Sequence, residues 1–211
     1  QVREFKVGEV DVQVHFRPSR IKSAWAKIDA KSISTRPCFL CEKNRPKEQL
    51  EISWRDYVLL VNPYPIFPQH FTIPHKTHKI QEILPHFSDM LDLAMLLPDF
   101  VVFYNGPKSG ASAPDHFHFQ AGTKNFLPLI GQRSTVEKKE IRSSVFLWKN
   151  YLRSVVEVVN PCKNEVIDIF REIYAKLQTD NAEPMMNVVA FYENECWHVL
   201  VLPRKTFRPW Q

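Results

Sequence analysis

Apolar positions along the chain follow two rhythms. Compact runs read as strands: Tyr57 to Asn62 (YVLLVN), His70 to Ile73 (HFTI), Phe100 to Tyr104 (FVVFY) and Asp115 to Ala121. Between the first two, Pro63, Pro65 and Pro68 force an irregular loop. Over 84–97 the rhythm changes. Leu84, Phe87, Leu91, Ala94 and Leu97 recur at spacings of three and four, which predicts an amphipathic helix. Pro85 suits its first turn and Pro98 stops it. Upstream, residues 1–36 are polar and basic, and Val10, Val12, Val14 and Phe16 alternate as in one edge strand.

The stretch 128–144, with its GQRSTVEKKEIRSS, has no apolar rhythm and reads as a surface loop or connection. Structure resumes with VVEVV (155–159). A helix over 161–178 follows, with Val166, Ile169, Phe170, Ile173, Tyr174 and Leu177 on one face. NVVAFY and CWHVLVL then flank the turn Glu193-Asn194-Glu195. Helix, strand ending in aromatic residues, connection, strand: this order repeats residues 85–121, and VVFYN at 101–105 resembles VVAFY at 188–192. An internal duplication is expected. Its second copy lacks a small-residue loop and keeps one histidine, His198, expected as a half-exposed strand residue. The expected organisation is an extension over 1–36, a first half over 37–127, a connection over 128–149 and a degenerate, C-terminally incomplete second half over 150–211.

At 211 residues the chain holds one sizeable domain or two small ones. No apolar run reaches membrane-span length, and a cytoplasmic location is expected. Gln1 is not a natural start, which leaves processing open. A formal charge of +5 and pI near 9.0 suit an anionic partner such as nucleotide, phosphate or nucleic acid, and equally a plain lysine-rich surface. Four cysteines are too few for a disulfide framework. Cys38 and Cys41, in CFLC, read as half of a zinc site or as a redox pair. Trp54, Trp197 and Trp210 are expected in the core or an interface.

The densest chemistry lies in YNGPKSGASAPDHFHFQAG, residues 104–122. In a strand, His116, His118 and Gln120 share one face, and Phe117 and Phe119 point into a core. The loop before them spends two of the chain's five glycines, Gly106 and Gly110. Its backbone amides form a candidate anion nest, with Ala111 and Ala113 leaving space and Lys108, Ser109 and Ser112 adding donors. A phosphate held there would lie beside the imidazoles, and a neutral imidazole can attack phosphorus. Zinc wants four N or S ligands. Beyond Cys38 and Cys41 the candidates are His70, His75, His78 and His116. If His116 binds metal, His118 is the free nucleophile.

His116-Phe-His118-Phe-Gln120 resembles the HxHxQ motif of the transferase branch of the histidine-triad superfamily. That branch holds galactose-1-phosphate uridylyltransferase, diadenosine polyphosphate phosphorylases and GDP-L-galactose phosphorylase. The loop NGPKSGAS is similar to the phosphorylases' Gly-Pro-x-Ser-Gly-x-Ser. NPYPIFPQHFTIPHKTH (62–78) is similar to the superfamily's first hairpin, with Asn62 at the ribose-contacting position, and PCFLC resembles the uridylyltransferases' zinc-binding pair.

The resemblance implies an α+β fold, an antiparallel sheet with flanking helices, in two tandem halves of which the second is degenerate. It implies a nucleotidyltransferase or phosphorylase with a covalent nucleotidyl-histidine. His118 and Gln120 are the expected catalytic residues. Asn62, Asn105, Lys108, Ser109, Gly110, Ala111 and Ser112 are expected to bind substrate. Arg204, Lys205 and Arg208, in PRKTFRP, read first as a solvated strand end, with reach to a distal phosphate the alternative. A structural zinc, or iron, is expected on Cys38, Cys41, His116 and His78, with His75 the alternative to His78. Expected partners are a nucleotide-containing small molecule (a nucleotide sugar or dinucleoside polyphosphate) and a phosphate or sugar-phosphate acceptor. A homodimer stays open, and neither membrane nor nucleic acid is expected. The rival reading is a zinc-supported nucleotide- or nucleic-acid-binding protein without catalysis.

Overall fold

The computed structural model describes residues 2–16, 18 and 30–206. Its strands are β1 (Val2–Val7), β2 (Val10–His15), β3 (Glu51–Trp54), β4 (Tyr57–Val61), β5 (His70–Pro74), β6 (Phe100–Asn105), β7 (His118–Thr123), β8 (Lys138–Arg142), β9 (Val145–Trp148), β10 (Val156–Asn160), β11 (Met186–Glu193) and β12 (Cys196–Pro203). Its α-helices are α1 (Ala30–Thr35), α2 (Phe87–Leu96), α3 (Pro128–Gln132) and α4 (Lys163–Leu177).

Ten strands form one antiparallel sheet in the order β3-β4-β5-β7-β6-β11-β12-β10-β9-β8. Read outward from the seam between β6 and β11, the two halves of this order match. β6 answers β11, β7 answers β12, β5 answers β10, and so on to the edges. Helix α2 connects β5 to β6, as α4 connects β10 to β11. The fold is α+β, two five-stranded units sharing a sheet.

Both long helices cover one face. They bury the inward residues of every central strand, including Ile73, Val102, Phe119, Val188, Val199 and Val158. They also meet each other: Phe87 of α2 stacks on Phe170 of α4 at 3.7 Å and 10°. Helix α2 follows the predicted stripe, with Phe87, Met90, Leu91, Leu93 and Ala94 buried. Asn160 opens α4 by accepting the Cys162 N–H at 2.7 Å. The β11–β12 turn places Asn194 and Glu195 at φ 50° and 61°, the left-handed pair a tight hairpin needs.

Several expectations are corrected. Residues 128–149 are not a bare connection, since they supply α3, β8 and β9. Strand β8 (KKEIR) is an exposed edge strand with an irregularity between Glu140 and Arg142, so it carries no apolar alternation to read. The N-terminal alternation builds a separate β1–β2 hairpin instead of a single edge strand. Strand β7 begins at His118, leaving His116 in the approach to it. His198 is buried, not half-exposed, because Arg133 closes over it and donates to its Nδ1 at 2.7 Å. Arg208 and Trp210 lie outside the described residues.

Candidate functional site

Residues directly opposite one another in paired strands point to the same face. Glu51, Leu60, Thr72, Gln120 and Phe103 therefore form one row across β3, β4, β5, β7 and β6. The neighbouring row on that face holds Ser53 and Val58 in one pair and Pro74 and His118 in another. This face looks away from α2 and α4. Phe117 and Phe119 are fully buried in the helix-side core, which anchors the strand that carries the imidazoles.

His118 is held at three points. Its N–H donates to Gln81 Oε1 at 2.8 Å, and its carbonyl accepts from Gln81 Nε2 at 3.0 Å. Its ring Nδ1–H donates to the His116 carbonyl at 2.9 Å. That bond fixes the tautomer and puts the lone pair on Nε2, at the other edge of the ring. The residue is only 3% exposed. Burial pushes its pKa down to about 4, so the imidazole is neutral, and a nucleophile, near pH 7.

Gln120 is oriented by His70. The Ile66 N–H donates to His70 Nδ1 at 3.1 Å, so His70 carries its proton on Nε2 and gives it to Gln120 Oε1 at 3.0 Å. With that oxygen engaged, the Gln120 amide nitrogen is the donor left to this face.

The loop between β6 and β7 is folded back by its own backbone. The Gly106 carbonyl gathers the N–H groups of Ser109 at 2.8 Å and Ala111 at 3.4 Å. The Gly106 N–H donates to the Met186 carbonyl, and a Cβ at Gly106 would lie 3.0 Å from that oxygen, a tight approach that glycine avoids. Gly110 sits at φ +96°. Neither Gly110 nor Ser112 gives its N–H to another described residue. From the second unit, Asn187 Nδ2 bridges the Asn105 side chain and the Ser109 carbonyl, each at 2.7 Å. Arg204 also donates to the Ser109 carbonyl, at 3.3 Å.

Some expected loop contacts are differently employed. Lys108 is exposed and donates to Asn181 at 2.5 Å. The Ser109 hydroxyl is buried without a hydrogen-bond partner. Ala111 is buried and Ser112 half-buried. Asn62 accepts the Tyr64 N–H and donates to Thr72, each at 2.8 Å, pinning the hairpin loop. Lys205 is exposed.

Cys38, Cys41, His78 and His116 bring their ligand atoms within 4.8 Å of one another. His116 Nδ1 lies 3.2 Å from Cys38 Sγ and 3.6 Å from Cys41 Sγ, and His78 Nδ1 lies 3.2 Å from Cys41 Sγ. His116 gives its Nε2–H to the His75 carbonyl at 2.7 Å, which leaves Nδ1 as the ligating atom. Asp115 adds an outer carboxylate 4.0 Å from His78 and is itself paired with Arg36 at 3.0 Å. Two sulfurs and two imidazoles in reach of one point are a donor set that could hold a metal. His75 is not in this group. Its Nδ1 accepts the Thr77 N–H, and its ring packs edge-on against Tyr57 and His86.

Residues 1–123 match the model of a family described as a domain of unknown function, DUF4922. The chain belongs to the DUF4922 family. Yeast Ap4A phosphorylase Apa2 shares the fold, with a TM-score of 0.58 and 19% identity, over 98% of this DUF4922 chain and 74% of Apa2. Apa2 in complex with Ap4A gives 0.55 and 17%, over 98% and 73%. A DUF4931 family protein from Bacillus cereus ATCC 10987 gives 0.52 and 15%, over 75% of this chain and 86% of that one. These likenesses show that the DUF4922 chain shares its fold with the phosphorylase and with the DUF4931 protein. No curated protein matches the DUF4922 chain in sequence. No helix among the described residues is long and apolar enough to cross a membrane.

Sequence reasoning missed Gln81, Asn187 and Glu183. Each acts by hydrogen-bonding backbone or side-chain groups distant in sequence, and none carries a motif. Glu183 is buried between the units, accepting from the Ile83 N–H at 2.6 Å and the Tyr104 hydroxyl at 2.5 Å.

Proposed function

We propose that this chain is a nucleotidyltransferase or phosphorylase that works through a covalent nucleotidyl-histidine on His118. The observation that carries the reading is the His118 ring. Its Nδ1–H is tied to the His116 carbonyl, so its Nε2 lone pair is left unspent, on a side chain that shares a sheet face with Gln120. In the first step Nε2 attacks the α-phosphorus of a nucleotide. The N–P bond forms as the bond to the bridging oxygen breaks, and that electron pair leaves with phosphate or sugar phosphate. In the second step an oxygen of a phosphate-bearing acceptor attacks the same phosphorus, and the P–N pair returns to Nε2. The Nδ1 proton stays in place throughout.

Gln120 donates to a non-bridging oxygen but cannot deliver a proton, which favours transfer over hydrolysis. The N–H groups of Gly110 and Ser112 stabilise charge on the transferred group. With Lys108 engaged by Asn181 and the Ser109 hydroxyl buried, backbone amides carry more of this load than side chains do. Cys38, Cys41, His78 and His116 would hold a zinc whose contribution is structural: it fixes His116, and through its carbonyl the tautomer of His118. The likeness to an Ap4A phosphorylase solved with AMP and with Ap4A supports a nucleotide substrate.

The test is covalent labelling. The protein is incubated with labelled nucleotide donors, denatured and digested. The expected result is a nucleotidyl adduct on the His118 peptide that is absent from His118→Ala. Salt-sensitive retention of RNA or DNA with no adduct from any donor would replace the reading with a non-catalytic binder. Turnover with inorganic phosphate against a sugar 1-phosphate separates phosphorylase from transferase.

A further inference from the structure

A cleft opens on the histidine-bearing face of the sheet. It holds about 160 Å³ and is lined by Leu40, Glu42, Arg45, Glu51, Ser53, Val58, Pro74, His75 and Lys76. Its floor is the row that carries His118. Tyr57 bridges His75 and Leu60 faces Thr72, so Val58 falls opposite Pro74, and Pro74 pairs directly with His118. Val58 therefore stands two strand spacings from His118, about 10 Å. A nucleoside monophosphate has that length.

Arg45 is the unusual member. Its side chain is only 8% exposed, yet Nε and Nη1 have no hydrogen-bond partner. Glu51 Oε2 lies 3.0 Å from Nη1, near enough for attraction but outside hydrogen-bond geometry. The ion pair with Glu51 compensates part of the hydration this guanidinium loses, and its Nε and Nη1 donors stay open to acceptors on a ligand. The cleft's charges also oppose each other: Arg45 and Lys76 disfavour a cation, Glu42 and Glu51 an anion. Leu40, Val58 and Pro74 give it apolar walls. What fits is a flat, neutral group with an acceptor edge for arginine and a donor edge for carboxylate.

Resting on the reading that His118 receives a nucleotide's α-phosphorus, we propose that this cleft binds the base of that nucleotide and selects guanine. Arginine pairs with the O6 and N7 acceptors of guanine. The guanine N1–H and exocyclic amine face a glutamate. Adenine offers an amine where guanine has O6, leaving an arginine donor opposed and a carboxylate unmatched.

The test titrates the whole chain with GMP, IMP and AMP. Affinity should fall in that order, with GMP at least tenfold tighter than AMP, and Arg45→Met should bring GMP to the AMP level. Glu51→Ala, at a half-exposed position, should close the gap between GMP and IMP. Equal binding of GMP and AMP by the native chain overturns the proposal, as does discrimination that survives Arg45→Met. The two readings fail separately. Guanine preference without a His118 adduct leaves this cleft standing and removes the chemistry, whereas equal adducts from adenine and guanine donors do the reverse.

Discussion

On the face away from the long helices, the first unit places His118, Gln120 and His70, and the second places His198, Glu157 and Arg133. In the first unit each imidazole gives a proton to a carbonyl or amide oxygen, and His118 keeps its Nε2 lone pair unspent. In the second unit Arg133 takes the His198 Nδ1 lone pair at 2.7 Å and also reaches Glu193 at 2.7 Å. His198 lies flat on Phe191, 4.8 Å away at 4°, and the Arg133 guanidinium sits 5.0 Å from the same ring. Burial and then the Arg133 charge push the His198 pKa down to about 4. Glu157 is fully buried, paired with Lys138 at 2.6 Å and the Trp148 indole N–H at 2.8 Å. Both histidines are buried and neutral. What separates them is whether a partner has consumed the lone pair.

The sharpest way to break this contrast is to remove each imidazole in turn. His118→Ala should lower turnover by at least about 10³-fold, as loss of a nucleophile does. His198→Ala should change turnover by less than about threefold while lowering the melting temperature. Comparable kinetic losses in both variants would erase the distinction between the units.

Next in size is the metal. Cys38→Ser, or chelation, should release the metal measured by elemental analysis, cost on the order of tenfold or more in adduct formation, and lower the melting temperature. Activity that persists in fully metal-free protein would show that His116 needs no metal to hold its neighbour.

The second unit's charges predict a pure stability effect. Glu157→Ala leaves Lys138 and Arg133 facing an empty buried site and should cost about 3–5 kcal/mol in urea unfolding. The surviving folded protein should keep its turnover. Loss of activity in step with stability would place catalytic duty in the second unit.

The smallest effect is at the seam. Burial raises the Glu183 pKa from 4.5 to about 7. The folded state therefore binds this proton more tightly than the unfolded state. The stabilisation is fully present below pH 4.5 and is lost as pH rises through about 7, on the order of 3 kcal/mol at most. Glu183→Gln should flatten that part of the stability–pH curve. An unchanged slope would mean that other groups titrate there.

The central strands and both long helices were legible because their burial is one-sided and leaves a period in the chain. Strand β8 was not, since an exposed edge strand such as KKEIR has no such period. The ladder was half legible. Alternation placed His118 and Gln120 on one face, but His116 lies before the strand and turns toward two sulfurs contributed from residue 38 onward. Spacing left His75 and His78 both open as neighbours of the cysteine pair, and only the folded chain shows Nδ1 of His75 already engaged with Thr77. Burial of His198 depends on Arg133, sixty-five positions away, and no local pattern announces it.

The support that Met186, Asn187 and Arg204 give to the glycine turn has a consequence for dissection of the molecule. A fragment cut before β8 would retain every reactive group while losing the framework that bends its loop. Any chemistry that relies on the bent loop should therefore depend on both units being joined.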